Sequence, residues 1–272
     1  MAAATERGIP VVYAPGRNAI SVADMTLGMI LGVARSIPHA HHLLHEGVYT
    51  GESEADAAGG GEREDVTWGI AKGTPYMDLK GPELAGKRLG IVGLGAIGQL
   101  VATRATAFGM DCVAYDPFID AETMAEYDTE KVELDDLLTT SDFITVHSPV
   151  TDETRGMIGE REFGMMQDSA YFVNTARAAL TDQRALVAEL ESGGLRGAAL
   201  DVYDGEPLPE DHSLLDMENV VTTPHIAGAA EEVPARGAEM VTDDIASLLD
   251  GRDPEYLANP DVLSEFTPPD ES

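Results

Sequence analysis

The chain has 272 residues, 43% of them hydrophobic, enough to bury a proper core in one large domain or two small ones. Its 49 Asp and Glu stand against 17 Lys and Arg, a formal charge of −32, and such a surface repels nucleic acid and anionic membranes, so neither is expected as a partner. An ordinary hydrophobic content beneath an acidic, lysine-poor exterior points to a halophilic protein, kept dispersed in concentrated salt where screening removes the self-repulsion.

From the start of the chain, Gly8–Tyr13 reads as a short strand. A strand needs neighbours, so its partner must come from the far C-terminus, another subunit or a segment outside this chain. After the turn Ala14-Pro-Gly-Arg-Asn18, Ser21 with Asp24 reads as a capping box for a helix running towards Ser36. Val22, Met25, Leu27, Met29, Ile30 and Val33 make that helix apolar on most sides, so it is expected to be buried, and a homodimer interface across it is one way to bury it. The run Met25–Ala34 is too short to cross a bilayer, and no signal peptide is read ahead of it. Spacings of three and four residues among His39, His41, His42 and His45 could set two imidazoles on one helical face as metal ligands. No carboxylate or cysteine is clearly placed to complete such a site, so no metal is expected and a partly exposed helix is the reading. Gly51–Lys80, rich in glycine and scattered acids, reads as a surface loop of low order whose far end Trp68 and Tyr76 pin down.

The most informative stretch follows. Leu89–Val92 is a short apolar run, read as a buried strand, and Gly93, Gly95 and Gly98 form a G-x-G-x-x-G turn into a helix carrying Ile97, Leu100, Val101, Ala105 and Phe108. Glycine is wanted there for a tight turn, for backbone approach to a pyrophosphate and for close packing of helix on strand; the pyrophosphate sits on the free amides of the helix start. A second strand, Asp111–Tyr115, ends at Asp116, close to where a dinucleotide fold keeps the acid that accepts the adenosine ribose hydroxyls and repels a 2′-phosphate. NAD is therefore the expected cofactor, favoured over NADP. The competing reading is that Asp116 merely opens a turn with Pro117. Cys112, the only cysteine, lies in this strand and is expected as a buried thiol in a reducing cytoplasm.

Strands and helices then alternate, with strands expected at Phe143–His147, Tyr171–Asn174, Ala198–Val202 and Val220–Thr222 and helices between them such as Asp182–Glu191. Gly228–Leu249 reads as one or two helices interrupted near Pro234, ahead of a proline-rich acidic tail. The alternation gives the fold class: α/β, a doubly wound parallel sheet of Rossmann type. Ligands of such sheets bind beyond the carboxyl ends of the strands, and the notable polar residues fall there repeatedly: Asn174-Thr-Ala-Arg177, Asp201 with Glu206-Pro207, and Pro224-His225.

At these residues the chain resembles the D-isomer-specific 2-hydroxyacid dehydrogenase family, which includes phosphoglycerate dehydrogenase. The resemblance rests on Gly93-x-Gly-x-x-Gly98, His147-Ser-Pro149-Val-Thr151-x-x-Thr154, Asn174-Thr-Ala-Arg177, Ala198-Ala-Leu-Asp201-Val-Tyr-x-x-Glu206-Pro207 and Thr223-Pro-His225-Ile-Ala-Gly228, and runs from about Ile9 to Asn259. It implies an oxidoreductase that moves a hydride between NAD and a small D-2-hydroxy or 2-oxo acid. Arg177 would bind the substrate carboxylate and polarise the keto oxygen; His225 would be the acid–base residue and Glu206 its partner. Gly93, Gly95, Ala96, Ile97, Gly98, Asp116, Pro149, Thr175, Ala176, Asp201, His225 and Gly228 would line the cofactor, Asp201 facing the nicotinamide carboxamide. Residues 18–228 would form the NAD-binding domain, with 51–80 inserted as a loop, and 1–17 with 229–272 a partial second, substrate domain.

The chain also departs from the family pattern. Members carry, ahead of the stretch resembling Gly8–Tyr13, most of a substrate domain with a glycine-containing loop for the substrate carboxylate, and this chain is expected to lack it. The Gly51–Lys80 region is longer than usual, and Ala178 stands where a glycine commonly follows the arginine.

The chemistry agrees with the implied roles. Reducing a 2-oxo acid leaves growing negative charge on oxygen, which needs a proton donor and a cation. Histidine titrates near neutrality and a carboxylate beside it favours the imidazolium; an arginine fork holds a carboxylate bidentately and keeps its charge. Each residue also has a plainer reading. Arg177 could pair with one of the many acids, Glu206 could be a surface carboxylate, His225 could precede a helix, and His147 more naturally shapes the cofactor wall than does chemistry. The competing function is a non-catalytic, regulatory NAD(H)-binding relative.

Overall fold

Short apolar runs bounded by turns become the strands of one sheet. They are β1 (Arg88–Val92), β2 (Asp111–Tyr115), β3 (Thr129–Lys131), β4 (Phe143–Val146), β5 (Tyr171–Asn174), β6 (Gly197–Leu200) and β7 (Val220–Thr222). In the computed structural model, which describes residues 1–50, 74–264 and 266, all seven pair in parallel in the order β3-β2-β1-β4-β5-β6-β7. That is a doubly wound sheet, with the order reversing between β1 and β4. β4 stops at Val146 and β6 at Leu200, so His147, Asp201 and Val202 lie beyond the strands rather than within them. β3 was not expected. Two of its three residues are exposed and charged, as suits a short edge strand that discourages further pairing.

The register decides where chemistry can gather. Val92 lies opposite both Tyr115 and Val146, Val146 opposite Asn174, Asn174 opposite Leu200, and Leu200 opposite Thr222. The next residue of each chain therefore falls in one row: Gly93, Asp116, His147, Thr175, Asp201 and Thr223. Because side chains alternate faces along a strand, this row shares a face with Ile91, Ala114, Val173 and Ala199. Those residues form a core cluster with Ala23, Leu27, Met29, Ile30 and Val33 and with the helix Ala96–Ala107. The opposite face buries Val146, Phe172 and Leu200 against Leu137, Phe163 and Leu186. Phe143 and Phe172 are fully buried, each contributing about 1.5–3 kcal/mol by loss of apolar contact with water.

Contacts divide the chain into two compact units, Ala23–Ile226 and Met1–Val22 with Ala227–Ser272. In the larger, the apolar residues of Ala23–Ala34 pack on the chain's own sheet, so their hydrophobicity requires no second subunit. The helix itself begins at Ala19, with Ala19 N donating to Gly16 O at 2.8 Å. Ser21 therefore sits inside the first turn and is not the cap. Ile37–His45 is a helix without a buried residue, in which the His41 and His45 rings meet edge to face at 4.3 Å. Most of the expected surface loop, with Trp68, falls outside the described residues; Tyr76 stands exposed on a short helix, Pro75–Asp78. Cys112 is buried, and burial raises its thiol pKa. Among the described residues no single helix is long and apolar enough to cross a membrane.

In the smaller unit, Gly8–Tyr13 makes one antiparallel bridge, Val12 with Leu257, instead of a strand, and its neighbour is the C-terminal segment. Asn259 secures the contact, accepting from Val11 N at 2.8 Å and donating to Ile9 O at 3.0 Å. Gly228–Leu249 is not interrupted near Pro234: Pro234 sits in the first turn of the helix Val233–Leu249, where its missing N–H has no carbonyl to satisfy.

Candidate active site

At the end of β1 the glycine turn is shaped by backbone contacts. Gly93 has φ +95°, and a Cβ there would lie 2.8 Å from Ser148 N at the end of β4, so this tight turn closes against the neighbouring strand across the switch point. A Cβ on Gly98 would lie 2.3 Å from Gly93 O. Gly95 caps the helix Ala96–Ala107, and nothing among the described residues stands within 4 Å of where its Cβ would be, leaving open space among them at the helix start. Ala96 is exposed there, and Ile97 packs its side chain into the core. Asp116 accepts from Leu94 N and from Phe118 N, both at 2.9 Å. Asp116 thus closes its own turn, as one reading had it, and also ties the end of β2 to the glycine turn. An open helix terminus, free amides and an adjacent carboxylate fit a dinucleotide: pyrophosphate on the amides, ribose on the acid.

Across the switch point, Pro149 is exposed in the loop after β4, its carbonyl accepting from Thr154 Oγ1 at 2.6 Å. His147 bonds Thr145 Oγ1 through Nε2 at 3.0 Å, and its Nδ1 is buried with no hydrogen-bond partner among the described residues. Burial pushes the ring's pKa down to about 3. The folded chain therefore refuses a proton that the unfolded chain accepts near pH 6.5, and stability drains as pH falls from about 6.5 towards 3, by at most about 1.4 kcal/mol per pH unit for one proton. His147→Gln should flatten the pH dependence of the chemical-denaturation midpoint over that window. Identical slopes in both proteins would contradict a neutral buried ring.

The turn after β5 is built by Asn174, which the sequence marked as a polar residue at a strand end without giving it a role. Its Oδ1 accepts from Ala176 N and its Nδ2 donates to Arg177 O, both at 3.0 Å. This side chain clamps Thr175 and Ala176, both buried, and delivers Arg177 in an extended conformation, exposed on a cavity of about 800 Å³. An asparagine directly after an apolar strand was the available signal, since its side chain readily bonds the backbone two residues on.

His225 and Glu206 line the same cavity as Arg177. His225 Nδ1 lies 2.7 Å from Glu206 Oε2, while Glu206 Oε1 accepts from Tyr203 N at 3.1 Å. The His225 contact, seconded by the Tyr203 amide, holds the Glu206 carboxyl below its usual range, so it is ionised at neutral pH. With Nδ1 committed to Glu206, Nε2 is the nitrogen that can exchange a proton with a ligand. His225 takes a left-handed backbone, φ +56°, uncommon for a residue with a side chain. Its loop is held by Tyr203 OH donating to Thr223 O at 2.9 Å and by Asp201, fully buried, which accepts from Thr223 Oγ1 at 2.5 Å and from Ile226 N at 2.8 Å. Gly228 belongs to the smaller unit, where its backbone approaches Asn18 too closely for a Cβ.

A family model for the D-isomer specific 2-hydroxyacid dehydrogenase NAD binding domain matches residues 27–227. D-3-phosphoglycerate dehydrogenase of Methanocaldococcus jannaschii is 39% identical over 265 residues, 97% of this chain and 46% of that protein. Glyoxylate reductase of Thermofilum pendens is 39% identical over 262 residues, 96% of this chain and 71% of that protein. The NAD-complexed D-isomer specific 2-hydroxyacid dehydrogenase of Lactobacillus delbrueckii ssp. bulgaricus superposes with a TM-score of 0.76 at 26% identity, over 94% of this chain and 74% of that one. The chain spans about half the length of the D-3-phosphoglycerate dehydrogenases it matches. With its glycine turn, the Asp116 carboxylate beside that turn and its strand order, it belongs to the D-isomer-specific 2-hydroxyacid dehydrogenase family and carries that family's NAD-binding domain.

Proposed function

We propose that the chain is an NAD-dependent oxidoreductase acting on small D-2-hydroxy or 2-oxo acids. The observation that carries this is the 2.7 Å contact of Glu206 with His225, on a cavity that Arg177 also lines. Gly93, Gly95, Ala96, Ile97 and Gly98 would hold the pyrophosphate, Asp116 the ribose, and Pro149, Thr175, Ala176 and Asp201 the nicotinamide end. When bound, NADH supplies the hydride for reduction of the 2-oxo acid and NAD accepts it in the reverse direction. Arg177 holds the substrate carboxylate by a charge-assisted fork and draws charge towards the keto oxygen. His225 gives its Nε2 proton to that oxygen as the alcohol forms, and takes it back in the oxidation. Glu206 keeps the ring oriented through Nδ1 and stabilises the imidazolium.

Turnover of NADH with glyoxylate, pyruvate, hydroxypyruvate and phosphohydroxypyruvate in molar salt tests the reading, and at least one is expected to react. Tight NADH binding without turnover on any would favour a non-catalytic, regulatory NAD(H)-binding protein instead. The smaller unit we take as part of a substrate-binding domain. The charge of −32 supports a halophilic protein that loses structure in dilute buffer, and the buried Cys112 thiol fits a reducing cytoplasm. We also take the chain to form a homodimer, which sedimentation in molar salt would detect.

A further inference from the structure

The row of residues just past the strand ends shares its face of the sheet with the buried stretch Ala23–Ala34. Two side chains of that stretch, Thr26 and Met29, are three positions apart and so sit on one side of the helix. Thr26 Oγ1 meets Thr175 Oγ1 at 2.8 Å, and Met29 Sδ receives Thr223 Oγ1 at 3.9 Å. Thr175 precedes Arg177 by two residues, and Thr223 precedes His225 by two. One helix thus touches both loops on which the proposed chemistry depends.

The Thr26 contact is the stronger of the two. Thr26 is fully buried and Thr175 is 4% exposed. Volume alone does not call for a hydroxyl there, because valine has the same shape, and a buried hydroxyl costs stability unless it is bonded. What the pair adds is direction. Asn174 fixes the internal shape of the turn from Thr175 to Arg177 by two side-chain bonds made within that turn, and its carbonyl, accepting from Asp201 N at 3.0 Å, ties the head of the turn to the end of β6. Thr175 gives the turn a second anchor, 149 positions away in sequence.

We propose that Thr26 is a positioning residue for substrate binding: its hydroxyl, through Thr175, sets where the Arg177 guanidinium stands on the cavity. This rests on the dehydrogenase reading, with Arg177 as the carboxylate ligand. The test compares wild type with Thr26→Val and Thr26→Ser. NADH fluorescence reports the affinity for NADH, and then the affinity of the NADH complex for oxamate, an unreactive isostere of a 2-oxo acid. Steady-state kinetics use whichever acid turns over.

Thr26→Val should weaken oxamate and raise KM about tenfold, with the Kd for NADH within twofold of wild type, and Thr26→Ser should restore both. Thr175→Val removes the same bond from the other side and should likewise weaken oxamate measured at saturating NADH and raise KM, which covers a Thr26→Val protein that fails to fold. Wild-type oxamate affinity and KM in the valine variants, even with a lowered melting temperature, would make the pair a packing feature only and overturn the proposal. A wild type that binds NADH but neither binds oxamate nor turns over would overturn the dehydrogenase reading, and the role of Thr26 with it.

Discussion

His225→Gln is expected to lower kcat about 10²–10⁴-fold, the usual contribution of a general acid, while NADH affinity stays within a few-fold of wild type. Glutamine fills nearly the same volume and can keep a hydrogen bond to Glu206, so the loop held by Tyr203 and Asp201 has no reason to move. What it cannot do is deliver a proton to a developing alkoxide. The loss should therefore appear in kcat with both substrates saturating, and the alternative in which His225 only shapes the loop predicts a variant within tenfold of wild type. Glu206 sharpens the measurement. Its carboxyl is held below the usual range, so it stays ionised through an assay between pH 6 and 9, and any pH dependence lost in the variant reports the histidine or the substrate. The left-handed backbone at residue 225 gives a further check, because a change in fold rather than in chemistry would also lower the melting temperature.

How much of this could be read in advance follows the range of the interactions. The six strands expected from Leu89 onward are apolar runs closed by turn residues, a local pattern, and all six are present with ends displaced by no more than two positions, whereas the seventh, Gly8–Tyr13, makes only a single bridge. The alignment of Gly93, Asp116, His147, Thr175, Asp201 and Thr223 in one row is a consequence of the parallel register across the sheet. β3 was hidden because a polar edge strand has no hydrophobic signature. Ser21 with Asp24 satisfies the capping rule as well as any pair in the chain, yet the turn at Gly16 starts the helix earlier; a local rule with two candidate starts cannot choose between them. Pro234 offered a similar choice, since proline either begins a helix or breaks one. Thr26 and Asn174 differ in kind. Asn174 acts on its own turn and was open to local reasoning, whereas the value of Thr26 depends on Thr175, a pairing that no pattern along the sequence reveals. His225, Glu206 and Arg177 were separable from ordinary surface charges only because each follows a strand end, and their meeting on one cavity is a property of the loops, not of the strands.

Two glycine substitutions three residues apart should fail in opposite ways. Gly98→Ala puts a Cβ 2.3 Å from Gly93 O and 3.4 Å from Ile91 Cγ2; the first is a backbone atom of the tight turn, which cannot swing aside as a side-chain tip would. Helix and strand must separate, an overpacking that costs about 1–3 kcal/mol, so the melting temperature should drop by several degrees. NADH affinity should fall with it, because the turn itself is displaced. Gly95→Ala meets no atom of the described residues within 4 Å and has φ −76°, an ordinary value for alanine. Its fold should be untouched, yet its methyl group enters the space a pyrophosphate needs at the helix start, and NADH should bind at least tenfold more weakly, about 1.4 kcal/mol or more. Melting curves without cofactor and fluorescence titrations with NADH separate the cases: Gly98→Ala changes both readouts and Gly95→Ala only the second. Unchanged NADH affinity in Gly95→Ala would mean that the open space at the helix start is not where the phosphates bind, and the placement of the dinucleotide on this turn would fail with it.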